Sequence, residues 1–147
     1  MGFMDSLNIS ASGMTAERLH MDVIANNLAN ANTTRTPQGG PYRRELVILS
    51  PAGGSFADAL SAFGGGGGSA TKGVIVDGVT PDQSPLKRVY EPGHPDADKQ
   101  GYVSMPNIDT VTEMVDMMNA TRAYEANVTA VNAVKGMAMK ALEIGRA

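Results

Sequence analysis

Leu7, Met14, Met21 and Leu28 recur at intervals of seven, and Ile24 and Ala31 follow the last two by three residues. That spacing is a heptad seam, the pattern of a helix that buries one narrow stripe against a partner helix. Glu17, Arg18, Asp22 and several Asn lie off the stripe, so the spacing predicts an amphipathic helix from about Asp5 to Asn30, about 40 Å long at the α-helical rise. Asn26, Asn27, Asn30 and Asn32 crowd its C-terminal end and Pro37 follows. These are poor helix formers that accept a left-handed cap, and the helix is expected to stop between Asn30 and Thr33.

The device returns at the other end of the chain. Met117, Tyr124, Val131 and Ala138 are seven apart, and Met114, Thr121, Val128 and Leu142 fill the second seam position, with Lys135 interrupting. Asn107, after Pro106, is an N-cap candidate with Asp109 in the first turn, while Thr110 and Glu113 offer a rival capping box one turn later. No proline follows before Gly145-Arg146, so one helix of about 37 residues and about 55 Å is predicted. Two narrow stripes cannot be buried by isolated helices. They pair with each other or with another chain, and Ile9, Leu19, Val111, Val115 and Met118 are left over for further neighbours.

The segment between is different in kind. Tyr42 to Leu49 has strand-like content, and short strands are expected at about Lys72 to Thr80, Leu86 to Tyr90 and Gly101 to Met105 between proline-bearing turns. From Pro51 to Gly73, eight of twenty-three residues are Gly, five of them consecutive at Gly64 to Gly68. Such a stretch loses much entropy on ordering and reads as a flexible loop. The expected fold is mainly α with a small β region: a coiled-coil helix over 1–33, a β-rich middle over 34–105 with its flexible loop at 51–73, and a coiled-coil helix over 106–147.

Composition narrows the function. A chain of 147 residues with 42% hydrophobic and 18% charged content makes one modest domain. Twelve basic against fifteen acidic residues give a net charge of −3, which offers nothing to attract nucleic acid. Cysteine is absent, so disulfides, thiolate metal sites and cysteine nucleophiles are excluded. The start, MGFMDSLNIS, lacks a basic n-region and a long apolar run, and no window reaches the roughly 18 apolar residues of a membrane span. Neither Sec-type export nor membrane insertion is expected. Gly2 and Ser6 match a myristoylation pattern too short to weigh.

Chemistry is sparse. The only imidazoles are His20, on the first helix, and His94, in a Gly-His-Pro turn, and no G-x-S-x-G elbow occurs. Glu91, His94, Asp96 and Asp98 sit close enough to suggest a metal loop, but two prolines and the lack of a second ligand cluster favour a solvated turn. The glycine tract has no Gly-Lys-Ser/Thr after it and is no phosphate loop. Met114, Met117, Met118, Met137 and Met139 form either packing filler or an adaptable binding face. No catalytic residue, cofactor, metal or small-molecule substrate is expected.

Three stretches resemble a known family. Ala25-Asn-Asn-Leu-Ala-Asn-Ala-Asn-Thr33 looks like the N-terminal signature of bacterial flagellar axial proteins of rod and hook. Tyr90-Glu-Pro-Gly-His-Pro-Asp-Ala-Asp-Lys-Gln-Gly-Tyr-Val-Ser-Met-Pro-Asn107 resembles the segment characteristic of the FlgC family of proximal rod subunits. Met114 to Leu142, with Arg122-Ala-Tyr-Glu-Ala-Asn-Val, resembles the C-terminal helix of the same proteins. The resemblance implies a structural subunit of the basal-body rod, exported by the flagellar type III apparatus without a cleaved signal. It further implies assembly with copies of itself and other rod proteins into the drive shaft that crosses the periplasm.

On that resemblance the assembly interface comprises Leu7, Met14, Met21, Leu28, Asn26, Asn27, Asn30, Met114, Met117, Met118, Tyr124, Val128, Val131 and Leu142. Phe3 and Leu7 have the spacing of an export signal. The Asn26, Asn27 and Asn30 cluster is either a helix cap or a polar register device between subunits. Two rival classes remain. A non-flagellar coiled-coil adaptor accounts for the heptads alone, and a wall-cleaving enzyme needs a catalytic carboxylate in a cleft that the chain has no core to build.

Overall fold

The computed structural model describes residues 2–52 and 73–145. In order along the chain these form α1 (Phe3–Ala29), β1 (Glu45–Pro51), β2 (Val74–Pro81), β3 (Lys87–Tyr90), β4 (Tyr102–Met105) and α2 (Thr110–Ile144). β1 pairs with β2 and β3 with β4, giving two separate two-stranded sheets. The chain is therefore mainly helical with a small β content, as the hydrophobic spacing predicts, and each strand lies within a few residues of its expected place. The glycine-rich loop expected over 51–73, including the five-glycine tract, lies almost wholly outside the described residues.

The chain divides into two compact units, one of residues 1–18, 48–77 and 121–147, the other of 19–47 and 78–120. In the first, Ser12 joins α1 to the start of β2: its hydroxyl donates to Ile9 O at 2.8 Å and accepts the Val74 N–H at 3.1 Å. Gly73 makes the approach possible. It sits at φ +105°, and a Cβ there would fall 2.3 Å from Ser12 Oγ. Opposite, Gly13 lets α2 come close, since an added Cβ would meet Asn127 Nδ2 at 3.0 Å. Ala16 is buried in this unit. A small residue at 13 thus sets one close point of the helix contact here.

In the second unit Val23, Ile24, Val103, Pro106, Ile108 and Ala120 are buried. α1 and α2 run antiparallel there. Asn27 touches Glu113, and Ala31 and Asn32, about a turn further along, line the same cavity as Asp109 and Thr110, about a turn further back. β3 and β4 pair antiparallel with Lys87 opposite Met105 and Tyr90 opposite Tyr102. The two tyrosine rings meet edge to face at 5.3 Å, and the Arg88 guanidinium lies 5.0 Å from the Tyr102 centroid. Cross-strand pairs of this kind support a ribbon that two strands alone hold poorly.

Two local expectations differ from the structure. The start of α2 is capped by neither Asn107 nor a Thr110–Glu113 box. Asp109 Oδ1 accepts the N–H groups of Val111 and Thr112 at 3.0 and 3.4 Å. Asn107 Oδ1 is already occupied by the Arg44 N–H at 2.9 Å, and the Glu113 carboxylate by Arg44 and Asn27. The residues most buried within the chain keep one position of the predicted seam on α1, Ile24, and otherwise lie beside it. Ala16, Val23, Ile24 and Asn27 are buried, whereas Leu7, Met14, Met21 and Leu28 are half-buried at its margin. The small residues and the polar contacts of Asn27 draw that face inward.

The two glycines of the β1–β2 sheet region respond oppositely to a methyl group. Gly73→Ala is expected to lower stability by about 1–3 kcal/mol through left-handed strain and the clash with Ser12, whereas Gly78→Ala, which meets nothing within 4 Å, is expected to be neutral. Denaturant unfolding followed by circular dichroism checks the pair, and equal midpoints for both variants contradict the close approach.

Candidate functional site

The strongest polar feature is a knot between the helices in the second unit. Asn27 and Glu113 are each 1% exposed. Asn27 Nδ2 donates to Glu113 Oε2 at 3.2 Å and to Glu45 O at 2.9 Å, while its Oδ1 accepts the Glu45 N–H at 2.9 Å and the Tyr42 hydroxyl at 3.3 Å. The amide thus imitates a neighbouring strand for the first residue of β1. Arg44 carries the counter-charge: its Nε donates to Glu113 Oε1 and its Nη2 to Asp116 Oδ2 at 3.2 Å. Burial, followed by the negative charges of Glu45 and Glu113, raises the Tyr42 phenol above its ordinary pKa and keeps it a neutral donor.

The asparagine cluster resolves into three separate roles. Asn27 is satisfied inside the chain. Asn30 closes α1, donating from Nδ2 to Asn26 O at 2.9 Å and accepting from the Thr33 hydroxyl at 3.1 Å. The Asn26 side chain is exposed on the surface of the helix. Nothing in the asparagine spacing separates these three. What distinguishes Asn27 is its place on the buried face beside Val23 and Ile24, which a 3.6-residue period shows and a strict heptad hides.

Of the other predicted positions, Met117, Tyr124, Val128 and Val131 are half-buried along α2, while Met114, Met118 and Leu142 are exposed. Val111, Met114, Val115 and Met118, at 69, 52, 45 and 53% exposure, follow an i, i+3, i+4, i+7 spacing on one face of α2. This is an apolar helical stripe that its own unit does not cover. Phe3 is 42% exposed and Leu7 half-buried near the start of α1.

The loop between β3 and β4, with its imidazole and carboxylates, is organised around its own backbone. Asp98 Oδ1 accepts the N–H groups of Gln100 and Tyr102 at 2.8 and 2.9 Å, and its Oδ2 accepts from Arg88 at 2.8 Å. The Tyr102 N–H, foremost among these, holds the Asp98 carboxyl below its usual pKa. His94 Nδ1 accepts the Asp96 N–H at 3.1 Å, and Asp96 Oδ2 accepts the Thr34 hydroxyl at 2.8 Å. That last bond ties the loop to the turn after α1 across a groove of about 370 Å³ lined by Arg35, Pro41, Tyr102 and Ser104 among others. Among the described residues no group of three or more His, Asp or Glu is placed to hold a metal ion.

Two long helices, one with an uncovered apolar stripe, joined by short two-stranded ribbons, define a structural assembly subunit. Comparison with known proteins gives the particular family. The family described as "Flagella basal body rod protein" matches residues 7–35, and that described as "Flagellar basal body rod FlgEFG protein C-terminal" matches residues 99–144. The chain is 52% identical to the flagellar basal-body rod protein FlgC of Bacillus subtilis over 145 residues, covering 96% of this chain and 97% of the relative. It is 47% identical to FlgC of Borreliella burgdorferi, with 98% of each covered, and 42% identical to that of Escherichia coli, with 99% and 100% covered. The chain belongs to the FlgC family of flagellar basal-body rod proteins.

The Asn27 amide can be tested apart from any partner. Asn27→Leu keeps the branched shape in a bulkier side chain but strands the Glu45 N–H and C=O, and is expected to destabilise the fold by about 2–3 kcal/mol in denaturant unfolding. Asn26→Leu, on the exposed side, is expected to shift the midpoint little; the reverse ranking contradicts the described knot.

Proposed function

We propose that this chain is a structural subunit of the proximal flagellar rod, assembling with copies of itself and with other rod proteins into the shaft that transmits motor torque across the periplasm. Full-length similarity to FlgC proteins is the observation that carries the reading, and it leaves the adaptor alternative without support. The α2 stripe adds a physical reason to assemble. Covering an apolar side chain of this size gains about 1.5–3 kcal/mol, and a stripe on one helix meeting a different face of the next copy is the heterologous contact that builds an open helical tube.

The assembly surface in this reading comprises the exposed Met114, Met118, Leu142 and Asn26 together with the half-buried Leu7, Met14, Met21, Leu28, Asn30, Met117, Tyr124, Val128 and Val131. Asn27 contributes from inside, by holding α1 to β1. Closing the two terminal helices into coiled-coil layers is part of the same proposal. Export goes through the flagellar type III apparatus without a cleaved signal, with Phe3 and Leu7 in the recognition element. Among the described residues no helix is long and apolar enough to cross a membrane. The role is mechanical rather than enzymatic: His94 and Asp98 hold their own loop in shape, and Asp96 ties that loop to Thr34.

Deleting the gene in its host and supplying it from a plasmid tests the proposal. Basal bodies without a completed rod or hook, restored by the plasmid, are expected in negative-stain electron microscopy; intact filaments and normal swimming with no second gene copy would overturn it. A Met114→Asp, Met118→Asp double variant is expected to be secreted at the normal level yet to restore no rods. Normal rod counts in that strain would remove the α2 stripe from the assembly surface.

A further inference from the structure

Within the second unit the two helices meet through a carboxylate that neither of them can neutralise. Glu113 is almost wholly buried, and α1 offers it only the amide of Asn27. An amide hydrogen bond does not compensate a buried charge, whose stranding costs far more than one neutral bond returns. The compensating cation is Arg44, which belongs to the segment between the helices. The same short segment supplies the other Asn27 partners, the Tyr42 hydroxyl and both backbone groups of Glu45.

Among the described residues, the charged groups around Glu113 leave Arg44 without a substitute. Arg44 is shared with Asp116, and Glu45 and Tyr42 add no positive charge. The nearby cations have other duties: Lys87 Nζ donates to Ile108 O at 2.7 Å, and Arg43 to Asp82 O at 3.3 Å. Arg44 is itself anchored from both sides, its N–H on Asn107 Oδ1 and its carbonyl accepting the Asp82 N–H at 2.7 Å.

We propose that residues 42–45 are a strap, and that α1 and α2 close on each other in this unit only once the strap is seated, with Arg44 as its latch. Helix pairing here is conditional on the middle of the chain. Before seating, the bare Glu113 carboxylate holds water between the helices and keeps them apart. The terminal helices therefore remain open to other partners until the intervening segment has folded.

The test in cells rests on the rod-subunit reading and is arranged to fail separately from it. In the gene-deleted host, plasmid-borne wild type must first restore swimming; if it does not, the family reading fails in that host before the strap is questioned. Arg44→Gln, Glu113→Gln and the double variant are then compared by swimming and by rods counted per cell. Arg44→Gln is expected to abolish both. Glu113→Gln is expected to swim far better than Arg44→Gln, because its one amide oxygen still accepts from one of the two donors, no charge is stranded and Arg44 keeps Asp116. The double variant is expected to recover most of what Arg44→Gln loses, since no charge is left to strand, and it decides the matter even where Arg44→Gln alone fails to fold. Wild-type swimming with Arg44→Gln, a Glu113→Gln defect as deep as that of Arg44→Gln, or a double variant as immotile as Arg44→Gln would each overturn the proposal.

Discussion

A buried carboxylate between two helices constrains much of this molecule. Glu113 lies on the face of α2 that meets α1, where an apolar residue would satisfy the packing, and its charge has to be answered in place. Arg44 answers it and in doing so fixes where β1 begins, because Asn27 binds the backbone of the very next residue. Asn107 then holds the Arg44 N–H and is lost to the helix cap, so α2 starts at Asp109 instead. One electrostatic requirement propagates into a strand origin, a helix origin and the approach of both helices.

Away from the knot the chain is economical with its apolar residues. In the first unit Gly13 gives α2 a close approach at Asn127 and Ser12 ties α1 to the start of β2. The larger side chains, Val111, Met114, Val115 and Met118, face outward. That distribution suits a subunit whose final packing is completed by neighbours, and methionine, unbranched and polarizable, tolerates neighbours of unequal shape. The hairpin of β3 and β4 is built the other way, with Asp98, Gly101 and the Tyr90–Tyr102 pair locking the loop from within.

Much of this was readable from residue order. Heptad spacing located both helices, strand-like content between proline-bearing turns located four strands, and three motif stretches pointed to the flagellar rod family. What escaped were side-chain partnerships over long sequence distances. Arg44 and Glu113 are sixty-nine residues apart, and neither lies in a local pattern that marks a pair. The expected cap at Asn107 and box at Thr110 and Glu113 followed sound local rules and gave way to those distant partners. On α1 the heptad count marks Ile24, which is buried, and misses Ala16, Val23 and Asn27, which lie just off the seam.

The Ala52 N–H donates to Gly73 O at 2.9 Å, so the chain leaves β1 and re-enters β2 through a single hydrogen-bonded gateway. Whatever lies between those two residues begins and ends at one point on the frame. The end of one strand and the start of the next are thereby held together by a bond of their own rather than by the connection between them.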